Sequence, residues 1–547
     1  IVGDRGPSAL DWAIMRDCPE WGVTVLQANG EMDAGDIWAA ETFRMRLTKK
    51  SSLYRDEVSD AAVRAVLAAV GHYCSGNFKP QPLDYSRPDV RGRLHAPIRQ
   101  ADRAIDWNRD DTRTVLKKIH AADGFPGVHD TLCGEAYYLF DACAEDTLRG
   151  TQPGAIIAKR NGAICRATLD GAVWIGHLKL KTEGANEQPG NPLSATSPPP
   201  ARGRDCAHSS NEQCGLKLPA VLALGEHLAD VPEAPLDLFL PCTGETCRDI
   251  WFEQKNDVGY LHFDFYNGAM SSEQCERLRA AYLAVTQRDV RVIVLLGGAD
   301  FWSNGIHLNR IEAAASPADE SWRNINAIDD LARAIVTTAS QLTIAALQGN
   351  AGAGGVFLSL AADHVYAREG VVFNPHYKGM GNLYGSEYWT YLLPGRVGEA
   401  RAATLTRDRL PVGAIEAREM GLIDGCFGTG REDFLERIAR IAEGLAASPD
   451  YSSLLREKLA RRERDEREKP LDAYRAEELQ QMKLNFYGFD PSYHVARYNF
   501  VYKIPHAWTP LYLARHRRIA CGLQVARLSN KLPADAPSGL AESSPGN

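Results

Sequence analysis

Ala345 to Ala367 reads AALQGNAGAGGVFLSLAADHVYA. The apolar run Thr343–Leu347 predicts a strand, glycines follow, and Val356–Ala362 predicts a helix. Glycines packed beside a strand mark places where backbone comes close to a ligand or to other backbone. Placed at a helix start, they leave backbone N–H groups unpaired and turn the positive end of the helix dipole toward whatever lies beyond the strand tip. Such an end can hold an oxyanion; tight strand–helix packing is the plainer alternative. A dinucleotide fingerprint does not fit, because strand, G-x-G-x-x-G turn and later ribose-binding acid do not occur in that order. A nicotinamide cofactor is therefore disfavoured.

The same alternation extends on both sides. GYLHFDFY (259–266), VRVIVLLGG (290–298) and HVYAREGVVF (364–373) read as strands, and SSEQCERLRAAYLAV (271–285) reads as a helix between them. Together they predict an α/β domain over 216–431. From 432 to 547 the pattern becomes helical, ending in the small, polar, fray-prone run PSGLAESSPGN (537–547). Upstream, 182–215 is rich in Pro, Ser, Gly and Asn and reads as a linker unable to bury a core. Between 81 and 181, GAIIAKR, AICRATL and AVWIGHLKL are short β-rich pieces divided by turn residues, which predict a small antiparallel barrel. In 1–80, GVTVLQANGEMDAGDIWAAETF (22–43) predicts a strand, a glycine-containing turn and a second strand or helix start, and VSDAAVRAVLAAV (58–70) predicts a helix. The fold class is thus multidomain α/β.

Composition narrows the function. With 44% hydrophobic and 24% charged residues, and no apolar run near the ~20 residues that span a bilayer, an integral membrane protein is not expected. The formal net charge of -8 leaves no broad footprint for nucleic acid, and KLARRERDEREK (458–469), with acids interleaved, reads as a solvated helix face. The 12 cysteines are scattered, and Cys242 and Cys247 have no second pair to complete a zinc tetrahedron, so reduced cytoplasmic thiols and no metal site are expected.

Phe373–Pro394, FNPHYKGMGNLYGSEYWTYLLP, is too irregular for one helix or strand, yet it carries Tyr377 and Glu387. Taken alone, Tyr377 reads as a half-buried aromatic and Glu387 as a carboxylate just inside a helix start. His307 and His376 read as structural hydrogen-bonding groups, and Trp389 and Tyr391 as core packing.

SNGIHL (303–308) followed by the 345–367 segment resembles the paired oxyanion-hole segments of the crotonase, or enoyl-CoA hydratase/isomerase, superfamily. The resemblance implies a spiral α/β domain that binds coenzyme A esters. It assigns oxyanion-hole donation to the N–H groups of Ile306 and Gly354, with Gly305 and Gly355 in the coenzyme A site. The two hydratase glutamates are replaced by Phe357 and Tyr377. With GSEYWTYLLP and the front half, the chain resembles the HypX (HoxX) family of hydrogenase maturation proteins, in which a folate-dependent formyltransferase is fused to a crotonase-like domain. IVGDRGPSALDWAI (1–14) is similar to the segment after the formyltransferase HPS/HPG motif, and NGEMDAGDIW (29–38) is similar to L-D-T-G-D-I. Asp33 then matches the catalytic aspartate, and the matching Asn and His would precede Ile1, so the first module is expected to be a truncated fragment followed by an OB-like barrel. The resemblance implies N10-formyltetrahydrofolate as formyl donor, coenzyme A as acceptor, and decarbonylation of formyl-CoA to CO with Tyr377 and Glu387 as a proton relay. It also implies hydrogenase maturation proteins as partners. The alternatives are an acyl-CoA hydratase, isomerase or hydrolase, and a coenzyme A-binding scaffold without turnover.

Overall fold

A computed structural model describes residues 1–182, 215–241 and 244–504. By contacts the chain divides into Ile1–Pro189 with Pro199–Tyr502, and Gly190–Pro198 with Lys503–Asn547. Lys503 and Ile504 alone represent the second unit among the described residues. All of the 182–215 linker except Thr182 and Gly215, the polar end 537–547 and Cys242 lie outside the described residues.

In the front part, strands Glu20–Leu26 and Ile37–Arg44 pair antiparallel, with Trp21 opposite Phe43. The second is a strand, not a helix start, because its β-branched and aromatic residues continue the ladder to Arg44. Helix Ser59–Ser75 lies against both strands through the buried Ala61, Ala65 and Ala69.

The next sheet runs in the order Val128–Leu132, Glu135–Glu145, Ala172–Leu180, Ala163–Ala167, Ile156–Arg160, all antiparallel, and Lys217–Pro219 adds beside Ala172–Leu180. Asp111 caps helix Thr112–Ala122 by accepting the Thr114 N–H at 2.7 Å. Its Val115, Leu116 and Ile119 join Leu139, Ile164, Val173, Ile175 and Leu178 in one core. Trp174 and Cys165 fill a second cluster, which is why Ala172–Leu180 is a nearly continuous apolar run.

The second half holds two sheets. The first has the order Gly425–Cys426, His364–Ala367, Leu342–Leu347, Val292–Leu296, Val258–Phe263, Ile250–Lys255, parallel except for its last pair. The second has the order Phe301–Ser303, Asn350–Gly352, Val372–Asn374, Val412–Gly413. Three successive strands of the first each continue after a short turn into a strand of the second, a spiral that accounts for the glycine-punctuated strand ends. HVYAREGVVF is accordingly two strands, His364–Ala367 and Val372–Asn374.

Helices Ser272–Thr286 and Pro317–Val336, capped by Ser271 and Ser316, cover one face of the first sheet. Helix Arg431–Ala447 covers the other, with Phe434, Ile438 and Ala442 against Val292, Val294 and Ile344. Helix Leu471–Tyr487 then returns, placing Leu471, Met482 and Phe486 in the core around Tyr377 and Phe357. The basic run is helical, within Tyr451–Glu468, but Lys458 is not solvated: it is buried, 2.7 Å from Asp363 Oδ2 and from the Gln341 carbonyl. Its long apolar stem favours that burial once a carboxylate meets the head group.

Front and back halves meet along a polar seam. Asp300 accepts from Ser52 at 2.6 Å and from Arg55 at 3.0 Å, Arg431 pairs with Asp56, and the Tyr266 hydroxyl donates to Asp123 at 2.7 Å.

Candidate active site

At the strand tip the 345–367 segment opens helix Gly354–Leu360, two residues earlier than the sequence predicts. Gly354 is at this point the only fit: a Cβ there would lie 2.0 Å from Glu387 Oε1. Neither the Gly354 nor the Ile306 N–H meets an acceptor among the described residues. Both residues line a cavity of about 180 Å³ with Asn304, Leu308, Ile325, Met380 and Leu383, and Tyr377 and Glu387 complete its wall. Gly305 and Gly355 are not brought to this lining. Gly305, at φ +76°, lies against the Gly354 backbone, and Gly355 lies against the Ser303 carbonyl.

Tyr377 and Glu387 come together in one hydrogen bond, the phenol donating to Glu387 Oε2. The phenol also reaches the Ser386 carbonyl at 3.0 Å. Tyr377 stacks on Phe357, with ring centroids 5.2 Å apart, and Gly385 permits this, since a Cβ there would lie 2.0 Å from the Tyr377 ring. Glu387 is not a helix-start carboxylate. The helix begins at Trp389, and Glu387 and Tyr388 both take left-handed φ values of 59°. Each such residue costs roughly 1–2 kcal/mol, so neighbouring groups must hold the turn.

Two acids do so, and neither was read from the sequence. Asp329 accepts the Glu387 N–H at 2.7 Å and the Ser386 hydroxyl at 2.8 Å. Glu478 accepts the Tyr388 N–H at 3.0 Å and both the N–H and hydroxyl of Thr390, at 2.9 and 2.5 Å. Glu387, Asp329 and Glu478 are at most 1% exposed. Burial, then the Asp329 charge, pushes Glu387 well above the usual carboxyl range. Burial also raises Asp329 to about 6, and burial with the Asp329 charge raises Glu478 to about 8. Tyr377 is driven well above the usual phenol value by burial and by Glu387. A pair that binds protons this firmly becomes a strong base when it gives one up.

His307 faces elsewhere. Its Nδ1 caps the helix Leu308–Ala313 by accepting the Arg310 N–H at 3.3 Å, and burial lowers it to about 3. His376 lines the cavity, half-buried and lowered by burial. Trp389 packs against Phe357 and Tyr384, and the Tyr391 hydroxyl donates to Asp465 at 2.7 Å. In the front half, Asp33 is exposed in the turn after strand Glu20–Leu26, at φ 58°, on the edge of a cleft of about 280 Å³ shared with Gly3–Gly6 and Trp21. Among the described residues no cluster of ligands could hold a metal, the cysteines are free thiols, and no helix is long and apolar enough to cross a membrane.

Residues 253–486 match the family model of enoyl-CoA hydratase/isomerase, and residues 97–190 match that of the formyl transferase C-terminal domain. The hydrogenase maturation factor HoxX of Bradyrhizobium diazoefficiens is 50% identical over 515 residues, 94% of this chain and 84% of that protein. The crystal structure of HypX from Aquifex aeolicus in complex with tetrahydrofolic acid superposes with a TM-score of 0.84 at 45% identity, over 94% of this chain and 85% of that one. The methionyl-tRNA formyltransferase of Streptococcus equi subsp. equi is 28% identical over 170 residues, 31% of this chain and 52% of that enzyme.

Proposed function

Because the chain belongs to the HypX (HoxX) family of hydrogenase maturation factors, joining formyltransferase and crotonase-like modules, we propose that it makes the carbon monoxide ligand of a [NiFe]-hydrogenase. A formyl group passes from N10-formyltetrahydrofolate to the thiol of coenzyme A beside Asp33 in the front half. The second half converts formyl-CoA to CO and coenzyme A. Tetrahydrofolate is the molecule held by the Aquifex relative, and a crotonase-like module is suited to a coenzyme A ester.

The observation that carries the reading is the Tyr377–Glu387 hydrogen bond against a cavity of about 180 Å³ whose other wall is the Ile306 and Gly354 amides. That volume admits a small acyl group, and the free amides suit a thioester oxygen. Decarbonylation breaks the C–S bond and moves one proton from the formyl carbon to sulfur, so no water or redox partner enters the balance. Tyr377 and Glu387 carry that proton: one takes it from carbon, the other delivers it to sulfur, and their hydrogen bond returns the pair to its starting state. Phe357, fully buried on the Tyr377 ring, stands where a hydratase has an acid and keeps water from being activated there. Formate is therefore not the product. Gly305 and Gly355 shape the backbone behind the amides, and partner maturation proteins receive the CO.

The test is CO release, followed by the haemoglobin spectral shift, when the chain is given formyl-CoA. CO is expected without formate. Formate in its place, or turnover of crotonyl-CoA, would return the second half to hydrolase or hydratase chemistry.

A further inference from the structure

Two helices each turn one acid inward beneath the catalytic turn. Asp329 sits on Pro317–Val336 in the apolar stripe of Ile325, Ile328 and Ala332, and Glu478 sits on Leu471–Tyr487 in line with Met482 and Phe486. Neither lines the cavity. Their bonds to the N–H groups of Glu387, Tyr388 and Thr390 account for three of the four amides that run from the left-handed pair into the following helix. The fourth, from Trp389, goes back to the Ser386 carbonyl at 3.3 Å. The Ser386 hydroxyl joins the two acids, 2.8 Å from Asp329 and 3.4 Å from Glu478.

Taking decarbonylation at this site as given, we propose that Asp329 and Glu478 are its positioning residues. Glu478 locks the strained turn that aims Glu387 at the cavity, and the Asp329 charge sets how firmly Glu387 holds its proton. Three carboxyl groups meet here with little cationic compensation. Arg475 Nε is 3.8 Å from Asp329, while its shorter bonds go to Asp330 at 2.6 Å and to Asn326. The other charged or titratable groups facing the cluster are Tyr377, Tyr388 and Cys275, with Arg333 beside Tyr388, and Tyr384 and Lys469 on the Glu478 side. Like charges this close cannot all ionise together, so the cluster keeps a proton that Glu387 and Tyr377 can draw on. The raised values of Asp329 and Glu478 agree with this arrangement.

Two isosteric variants separate the roles. Asparagine at 329 keeps an oxygen for the Glu387 N–H and can donate its amide to the Ser386 oxygen, so the charge goes and the geometry stays. Glutamine at 478 must point its NH2 at either Tyr388 or Thr390, so the turn loosens. In the full chain supplied with formyl-CoA, Asp329→Asn is expected to move the pH profile of CO release to lower pH by about one unit, with the optimum rate within a few-fold of wild type. Glu478→Gln is expected to lower kcat at least tenfold and leave KM nearly unchanged. The protonated-carboxyl C=O stretch lost in Glu387→Gln, titrated by infrared difference spectroscopy, reads the same shift without turnover. A folded Asp329→Asn protein with both the profile and this titration unmoved overturns the proposal. If Asp329→Asn does not fold, Ser386→Ala takes its place: it removes a bond that stabilises ionised Asp329 and is expected to shift Glu387 in the same direction, less far. If wild type makes no CO, the decarbonylation reading fails, and the infrared titration alone decides for or against positioning.

Discussion

Strand Glu135–Glu145 and the Glu387 turn both draw carboxyl groups out of water, Asp141 partly and Glu145 fully, and they treat them in opposite ways. Asp141 meets the Lys49 ammonium at 2.6 Å and the His177 ring at 3.0 Å, and Glu145 accepts from Thr147, Thr246 and Trp174. Burial alone would raise both. Instead Lys49 and His177 hold Asp141 well below the usual range, and the donors around Glu145 bring it down to about 2. At the Glu387 turn burial meets a further acid, not a cation, and the same physics pushes the group up. A buried carboxylate whose cation or donors outweigh its burial stays ionised and structural; a buried cluster in which burial and a neighbouring acid outweigh the donors holds protons it can exchange.

The contrast breaks at its root if Tyr377→Phe or Glu387→Gln releases CO at the wild-type rate. A loss of about 10²–10⁴-fold is expected, with circular dichroism unchanged. Lys49→Met tests the other side: it strands Asp141 without its cation and is expected to destabilise the fold by roughly 3 kcal/mol in denaturant titrations, leaving turnover per folded molecule intact. Gly354→Ala drives a methyl into the Glu387 carboxylate and is expected to cost about 1–3 kcal/mol along with CO release, seen in parallel melts and assays.

Stability against pH sharpens the comparison. Asp329 and Glu478 keep protons in the folded chain that the unfolded chain releases near pH ~4. Folding thus takes up protons between there and about 8, and the stability they contribute declines as pH rises through that window. Glu145 has the reverse sign: its contribution is complete above the unfolded value and is lost as pH falls toward about 2. Thermal melts are expected to decline from pH 5 to 8 less steeply in Glu478→Gln than in wild type. Trp174→Phe, the smallest change, removes one donor to Glu145 for about 1 kcal/mol and moves its acid limb upward.

The βα alternation around 345–367 was legible because glycines and β-branched runs punctuate the spiral at every strand end. Tyr377 and Glu387 stood out as polar residues on a segment without periodicity. What the sequence did not convey was the conformation of Glu387, since its left-handed turn is set by the bond from its own N–H to an acid 58 positions away and the bond from the Tyr388 N–H to an acid 90 positions away, not by its neighbours. Asp329 did leave a signal, since it interrupts the apolar stripe of an otherwise amphipathic helix, whereas the Glu478 helix carries almost no amphipathic pattern and Glu478 falls only on the short line it makes with Met482 and Phe486. In the acid-rich runs IDDLARAI and RAEELQQM that signal is hidden, because a neighbouring exposed acid makes both look solvated. Lys458 was concealed the same way among exposed arginines.

Glu478 belongs to a helix that also buries Met482 and Phe486 beside Tyr377. On the ribosome, then, the catalytic pair is made long before its floor. Glu478 is polymerised roughly 90 residues after Glu387, several seconds later at ~5–20 residues per second. During that interval the nascent spiral has its amides, its tyrosine and Asp329, but lacks the carboxylate that receives the Tyr388 and Thr390 N–H groups. The Glu387 turn is thereby completed only once helix Leu471–Tyr487 has docked.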